Sequence, residues 1–219
     1  MSVFAVVPVK TLQKSKTRLS IVLDPQERHI LTLTMLEDVL RAITSSIECQ
    51  TVLISSNPRV QGLANNFRVA YLPERKQGLN QAIKQATEWC IQNNAESVLV
   101  LPADIPLITP EDINQIVKLG SESSSLVISP SQNGGTNALL QKPPNLIPTC
   151  FGPHSFAKHL NEAIARGIMA KVYRSQRLTM DIDSPEDLED FLKIENQTAS
   201  RQFLEKSLMK ERLMKILSS

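Results

Sequence analysis

The chain has 219 residues, of which 42% are hydrophobic and 21% charged, with a formal net charge of +2. That length suits one domain with a sizeable core, or barely two small ones, and the composition is that of a soluble globular protein. Such a balance offers no global field to nucleic acid or a membrane surface, and no run approaches the roughly 18 apolar residues of a membrane helix, so neither is an expected partner.

The N-terminal apolar run, MSVFAVVPVK, is too short for a signal peptide and has no basic region before it. Cys49, Cys90 and Cys150 are far apart, form no C-x-x-C pair and read as reduced thiols. A cytoplasmic location is the expectation.

In chain order, residues 3–9 read as a buried strand. Asp24, Pro25 and Glu27 then supply an N-cap acid, a proline at the first helical position and a glutamate three residues beyond the cap. That helix runs to about Ser45, with Leu31, Met35, Val39 and Ala42 on one face. Residues 51–55 and 68–72 are strands. Residues 78–93 are helical, with Ala82, Ile83, Ala86 and Trp89 inward. Residues 97–101 (SVLVL) show no polar alternation, which predicts a central strand covered on both faces.

Thr109-Pro110-Glu111-Asp112 repeats the cap pattern for a helix to about Leu119. Strands follow at 126–129 and 136–141, the second ended by Pro143-Pro144. A helix at 156–165 and a short strand at 170–173 come next. Ser184-Pro185-Glu186-Asp187 is the third cap, for a helix to about Lys193. Alternating strands and helices predict an α/β three-layer sandwich, a mostly parallel (mixed) sheet with helices on both faces. Residues 1–194 form the expected domain. Residues 195–219 read as a tail carrying an amphipathic helix over 203–217, outside the catalytic fold, packed either on its own domain or on a second copy in a homodimer.

Three aspartates carry the chemistry. Asp104 directly follows the hydrophobic strand, in LPADIPL, where ligand sites of open α/β sheets gather. It is not needed to cap the next helix, because Thr109 does so. Asp181 and Asp183 flank Ile182 in LTMDIDSPEDL. In an extended stretch both carboxylates face one way and repel each other unless a cation lies between them. Mg2+, which takes a few carboxylates plus phosphate oxygens and water, fits that requirement.

Two anion cradles are expected around these acids. Lys10, Lys14, Lys16 and Arg18 follow the first strand, four cations within nine residues, and suit a triphosphate. A solvated charged loop would look the same. Neither a P-loop nor a G-x-G-x-x-G motif is present, which disfavours P-loop kinases and dinucleotide oxidoreductases. Gly134-Gly135-Thr136 is a hairpin turn where backbone approaches a ligand closely. Gly152 and Ser155 open a helix whose free N–H groups suit a second anion. His154 and His159 lie beside it, but a phosphate acceptor is already a nucleophile and needs no base.

The segments PVK with KSKTRLS, LPERKQGLNQAI, LPADIPL, GGTNALL, FGPHSFAKH and DIDSPEDL, taken in this order, span residues 8 to about 190. Together they resemble the 2-phospho-L-lactate guanylyltransferases of coenzyme F-420 biosynthesis. The resemblance implies the molybdenum-cofactor guanylyltransferase-like, nucleotide-diphospho-sugar transferase-like fold. It also implies a reaction of GTP with (2S)-2-phospholactate, giving lactyl-diphospho-guanosine and pyrophosphate. By the same resemblance Asp104, Asp181 and Asp183 would hold Mg2+, and Thr136, Gly152 and Ser155 the acceptor. Pro8, Val9, Lys10, Gly78, Asn80 and Pro102 would hold the nucleotide, with Gly78, Leu79 and Asn80 as the base-recognition segment. Lys10, Lys16 and Arg18 would be the catalytic cations. Family members elsewhere use phosphoenolpyruvate or 3-phosphoglycerate. A sugar-phosphate nucleotidyltransferase and a non-enzymatic nucleotide-binding protein are the alternatives.

Overall fold

The computed structural model describes residues 2–9, 16–46 and 49–206. Lys10, Lys14 and the end of the expected tail helix lie outside those residues. Strands are β1 (Val3–Pro8), β2 (Cys49–Ser55), β3 (Ala70–Pro73), β4 (Ser97–Val100), β5 (Ser125–Pro130), β6 (Thr136–Lys142) and β7 (Ala170–Val172). Helices are α1 (Pro25–Thr44), α2 (Pro58–Phe67), α3 (Leu79–Gln92), α4 (Pro110–Leu119), α5 (Ser155–Ala165), α6 (Gln176–Thr179), α7 (Pro185–Lys193) and α8 (Ala199–Lys206), with a 3-10 turn at Thr17–Ile21.

The three cap signals all form. Asp24 accepts from Glu27 N while Glu27 accepts from Asp24 N, each at 2.9 Å. Thr109 with Asp112 and Ser184 with Asp187 repeat the reciprocal pattern. Each box satisfies two N–H groups that a helix end otherwise leaves open, and losing such a cap typically costs about 1 kcal/mol. Two helices were not anticipated. α2 is short and mixed, NPRVQGLANNF, with only Val60 and Ala64 buried, so it lacks a long apolar stripe. α6 spans four residues. Arg68 is not a strand residue but the left-handed C-cap of α2, so β3 starts at Ala70.

Among the described residues the strands form one sheet in the order β3-β2-β1-β4-β6-β5-β7. Neighbours pair in parallel except at β6, which is antiparallel to both β4 and β5. β1 and β4 are buried along their whole length, as strands covered on both faces must be. Val3, Ala5 and Val7 face α1, α2 and α4; Phe4 and Val6 face α3 and α5. The result is the expected three-layer sandwich. After β3 the chain returns to the other side of β1 to make β4. That reversal opens a crevice at the carboxyl ends of β1 and β4, where ligands of such sheets bind.

Asp112 closes a lock away from that crevice. It is 0% exposed, and accepts from Thr109 Oγ1 at 2.7 Å, Tyr173 OH at 2.9 Å and Arg177 Nε and Nη2 at 2.9 and 3.1 Å. Burial alone would raise its carboxyl, but these donors outweigh it and hold it down at about 2.

A third apolar cluster joins the 3-10 turn, α1, α7 and α8 through Leu19, Met35, Ile182, Phe191 and Leu204. The described part of the tail thus docks on its own chain. Asp38 of α1 receives Ala199 N at 2.7 Å, Ser200 N at 3.0 Å and Ser200 Oγ at 2.6 Å, anchoring the start of α8. No helix among the described residues is long and apolar enough to cross a membrane.

Candidate active site

The crevice is a cleft of about 320 Å³ bounded by Pro8, Val9, Lys16, Pro102, Asp104, Thr136, Gly152, Ser155, Asp181 and Asp183, among others. Most residues singled out in the sequence therefore converge from six separate segments. Val9 is fixed by its backbone: its N–H donates to Ile54 O at 2.9 Å, and Ser55 Oγ donates to its carbonyl at 2.8 Å. A second cleft of about 550 Å³, between α3 and residues 144–149, has none of the three aspartates, so size does not select the site.

One wall is acidic. Asp104 is set by the short loop after β4, and its carbonyl accepts from Ile182 N at 3.1 Å. That bond, with Ile182 buried in the third cluster, ties the two acidic segments together. The stretch from Asp181 to Asp183 is not part of the sheet, yet Ile182 points inward while its two acidic neighbours line the cleft. Lys16 reaches across in a left-handed backbone conformation (φ 53°). Its Nζ donates to Asp104 Oδ2 at 2.6 Å and Asp183 Oδ1 at 2.5 Å, with the side chain only 5% exposed. Burial alone would lower the Lys16 amine; the two carboxylates outweigh it and raise the pKa.

Asp181 is the poorly neutralised member. Among the described residues its side-chain donor is Asn137 Nδ2, at 3.3 Å. Burial first, then the nearby Asp104 and Asp183 charges, push its carboxyl up to about 6, with Asn137 opposing. Among the described residues one ammonium thus faces three carboxylates. Their hard oxygens suit Mg2+, and the raised Asp181 marks negative charge that a divalent cation would relieve. Among the described residues no three His, Cys, Asp or Glu side chains form a ready-made metal cage. Mg2+ commonly binds through one or two carboxylates plus substrate phosphates, which needs no such cage.

The opposite wall is neutral and hydroxyl-lined. Gly134 has φ 74° in the β5–β6 turn, and a Cβ on Gly135 would lie 2.8 Å from Ser131 Oγ, so neither position readily takes a side chain. Gly152 has φ 131°. The helix-terminus expectation needs correction here. Ser155 N already donates to Gly152 O at 3.1 Å, and Phe156 N to Gly134 O at 3.2 Å. Ser155 therefore brings its hydroxyl to the cleft, 3.1 Å from Thr136 Oγ1, rather than a free N–H.

Other positions fall differently from expectation. Arg18 is exposed on the 3-10 turn and does not line the cleft. Gly78 has φ 123° and starts α3. Asn80 spends its side-chain amide on Phe151, donating to its carbonyl at 2.9 Å and accepting from its N–H at 2.8 Å. It braces the segment leading to Gly152, and Leu79 is the α3 residue that lines the cleft. His154 is exposed, whereas His159 is buried. Asn137 was not singled out from the sequence. Its only signal was its place after Thr136 in GGTN; the turn of its side chain toward Asp181 depends on a β-bulge. Ser129 opposes Ala138 and Pro130 opposes Thr136, leaving Asn137 as the extra residue.

Known proteins match this architecture. A candidate nucleotide-diphospho-sugar transferase of Desulfovibrio desulfuricans G20 superimposes with a TM-score of 0.81 at 14% identity, covering 97% of this chain and 99% of that one. A cytidylyltransferase of Leptospira borgpetersenii gives 0.62 at 17% identity, covering 96% and 95%. The fold is that of the nucleotide-diphospho-sugar transferases. A phosphoenolpyruvate guanylyltransferase of Rubrobacter xylanophilus is 42% identical over 189 residues, 86% of this chain and 92% of that protein. A 2-phospho-L-lactate guanylyltransferase of Methanocaldococcus vulcanius is 38% identical over 200 residues, 91% and 88%. The family model "Guanylyl transferase CofC like" matches residues 3–214. With nearly the whole chain matched, the protein belongs to the CofC-like guanylyl transferase family and is a nucleotidyltransferase.

Proposed function

We propose that the chain is a magnesium-dependent guanylyltransferase joining GTP to (2S)-2-phospholactate, giving lactyl-diphospho-guanosine and pyrophosphate in coenzyme F-420 biosynthesis. The observation that carries this reading is one cleft with two unlike walls: three carboxylates and an ammonium facing a buried pair of hydroxyls.

In this reading an oxygen of the acceptor's phosphate attacks the α-phosphorus of GTP. A new P–O bond forms, the bond from the α-phosphorus to the bridging oxygen breaks, and pyrophosphate leaves with the electron pair. The attacking phosphate is ionised at neutral pH, so no side chain has to remove a proton. Both partners are anions, and the work is positioning and charge cancellation. Thr136 and Ser155 hold the acceptor through their hydroxyls, and Gly152 lets backbone approach it. Among the described residues Lys16 is the cation of the acidic wall; Lys10, outside them, would join it on the triphosphate. Arg18, exposed on its turn, does not line the cleft and is given no role in this reading. Asp104, Asp181 and Asp183 would hold Mg2+, which when bound polarises the α-phosphate and offsets charge on the leaving group.

A second acceptor has a specific observation behind it, the 42% identity to a phosphoenolpyruvate guanylyltransferase. The two acceptors share a phosphate and a carboxylate and differ at the second and third carbons, tetrahedral in one and planar in the other. Pyrophosphate release with GTP and Mg2+ against phospholactate, phosphoenolpyruvate and 3-phosphoglycerate tests both. Release with phospholactate foremost is expected. Turnover with phosphoenolpyruvate alone would replace the acceptor, and silence with all three would end the reading.

A further inference from the structure

One buried titratable ring plays no part in the reaction as described: His159, 0% exposed on the inner face of α5. Its Nε2 accepts from Cys150 N–H at 2.9 Å. A backbone N–H can only donate, so Nε2 must present a lone pair. Burial pushes the ring down to about 4 against a small opposing pull from Glu162, so it is neutral near pH 7. In a neutral imidazole with a bare Nε2, the hydrogen is on Nδ1.

Nδ1 lies 3.0 Å from Thr136 Oγ1, which therefore accepts. Thr136 Oγ1 also lies 3.1 Å from Ser155 Oγ. Three donor hydrogens, one on the ring and one on each hydroxyl, serve these two contacts. One hydroxyl hydrogen is left over, and both hydroxyls line the cleft. With the other tautomer, Thr136 would have to give its hydrogen inward to Nδ1, and Ser155 would give its own to Thr136. The pair would then meet an anion with lone pairs alone.

We infer that His159 is the positioning residue of the acceptor subsite, fixing the Thr136–Ser155 pair so that one hydroxyl hydrogen points at an anionic oxygen of the phosphorylated acceptor. The ring touches neither the acceptor nor the reacting atoms. Its bond to Cys150 also pins the segment just before Phe151 and Gly152, and the Phe151 ring lies edge-on to His159 with centroids 5.0 Å apart. The acceptor part rests on the proposed guanylyl transfer; the proton count does not.

Two readouts test it. Long-range nitrogen–proton spectra of the full chain, with His159 assigned by its loss in His159→Gln, report the tautomer directly. Hydrogen on Nδ1 with a bare Nε2 at pH 7 is expected; hydrogen on Nε2, or a doubly protonated ring, overturns the inference. Kinetics supply the second. His159→Asn keeps a donor near the Nδ1 position, whereas His159→Gln keeps an acceptor near Nε2 and removes the donor. The Gln variant is expected to raise the acceptor's KM about 10-fold with GTP's KM within about twofold, and the Asn variant to recover most of that loss. Equal rises for both substrates, or no recovery with Asn, overturns it. Should one variant fail to fold, the other assigns the His159 signal by its loss, and the wild-type ring spectrum still decides. Wild-type protein inactive with every acceptor would sink the proposed function, and the tautomer would still judge the hydroxyl arrangement.

Discussion

Asp112 and Asp181 are both carboxylates withdrawn from water, and the chain treats them in opposite ways. Asp112 meets a threonine, a tyrosine and one edge of an arginine through two donors, and its carboxyl is held down at about 2. Among the described residues Asp181 has one long side-chain contact, to an amide, and two acidic neighbours, and it is pushed up to about 6. Folding uses the first acid as a fastener and merely tolerates the second. A buried charge left in debt to its surroundings is a mark of a site awaiting a ligand, and a satisfied one is a mark of structure.

The contrast can be broken at several strengths. Asp104→Asn is expected to have the largest effect, a loss of about a thousand-fold in turnover. Its fold should survive, because the bond to Ile182 comes from the Asp104 backbone. Pyrophosphate release beside a thermal melt checks both halves, and an unfolded variant would assign Asp104 to structure instead. Asp112→Ala should do the reverse. It is expected to lose about 3 kcal/mol of stability by denaturant titration, since it strands buried donors, while activity per folded molecule holds.

Asp181→Asn should separate the two properties within one residue. Turnover should collapse while the metal-free protein becomes more stable at pH 7 by on the order of 1–2 kcal/mol. The sign follows from the raised pKa. The folded state holds this proton more tightly than the unfolded chain, so the contribution of Asp181 to stability is present below about 4 and lost as pH rises through about 6. Asp112 does the opposite: its contribution is present above about 4 and lost as pH falls toward 2. His159, held near 4, opposes Asp181 in the same window, so the reading is taken as wild type minus Asp181→Asn. Mg2+ should shrink the difference. The smallest effect is expected from Tyr173→Phe, which removes one of the donors to Asp112 and should cost about 1 kcal/mol with unchanged kinetics.

Much of the fold was legible because it is written locally. The three cap boxes are four-residue signals, and the uninterrupted SVLVL run marks a central strand without reference to anything distant. α2 escaped because its apolar residues are too few to show a period. The acids of the site were legible for a similar reason: a carboxylate at the end of a buried strand, or paired about a buried isoleucine, is odd in its own neighbourhood. What was not legible is how the polar groups are spent. That Asn80 gives its amide to Phe151, that the first N–H groups of α5 are taken, and that Lys16 rather than Arg18 reaches the acids are facts about contacts 19 to 167 residues apart, or about turns whose closure no local pattern announces.

The bulge in β6 has a consequence of parity. Ala138 and Leu140 face one layer of helices and Leu139 the other, so by simple alternation Thr136 would join the even-numbered side, under α1 and α4. The single extra residue switches even to odd. Thr136 turns to His159 and Ser155, and Asn137 turns to Leu178 O at 2.8 Å and to Asp181. Two neighbouring residues, about 3.8 Å apart from one Cα to the next, therefore serve the hydroxyl wall and the acidic wall. That separation is written into the backbone, so the two contacts keep a fixed spacing whatever the surrounding side chains do.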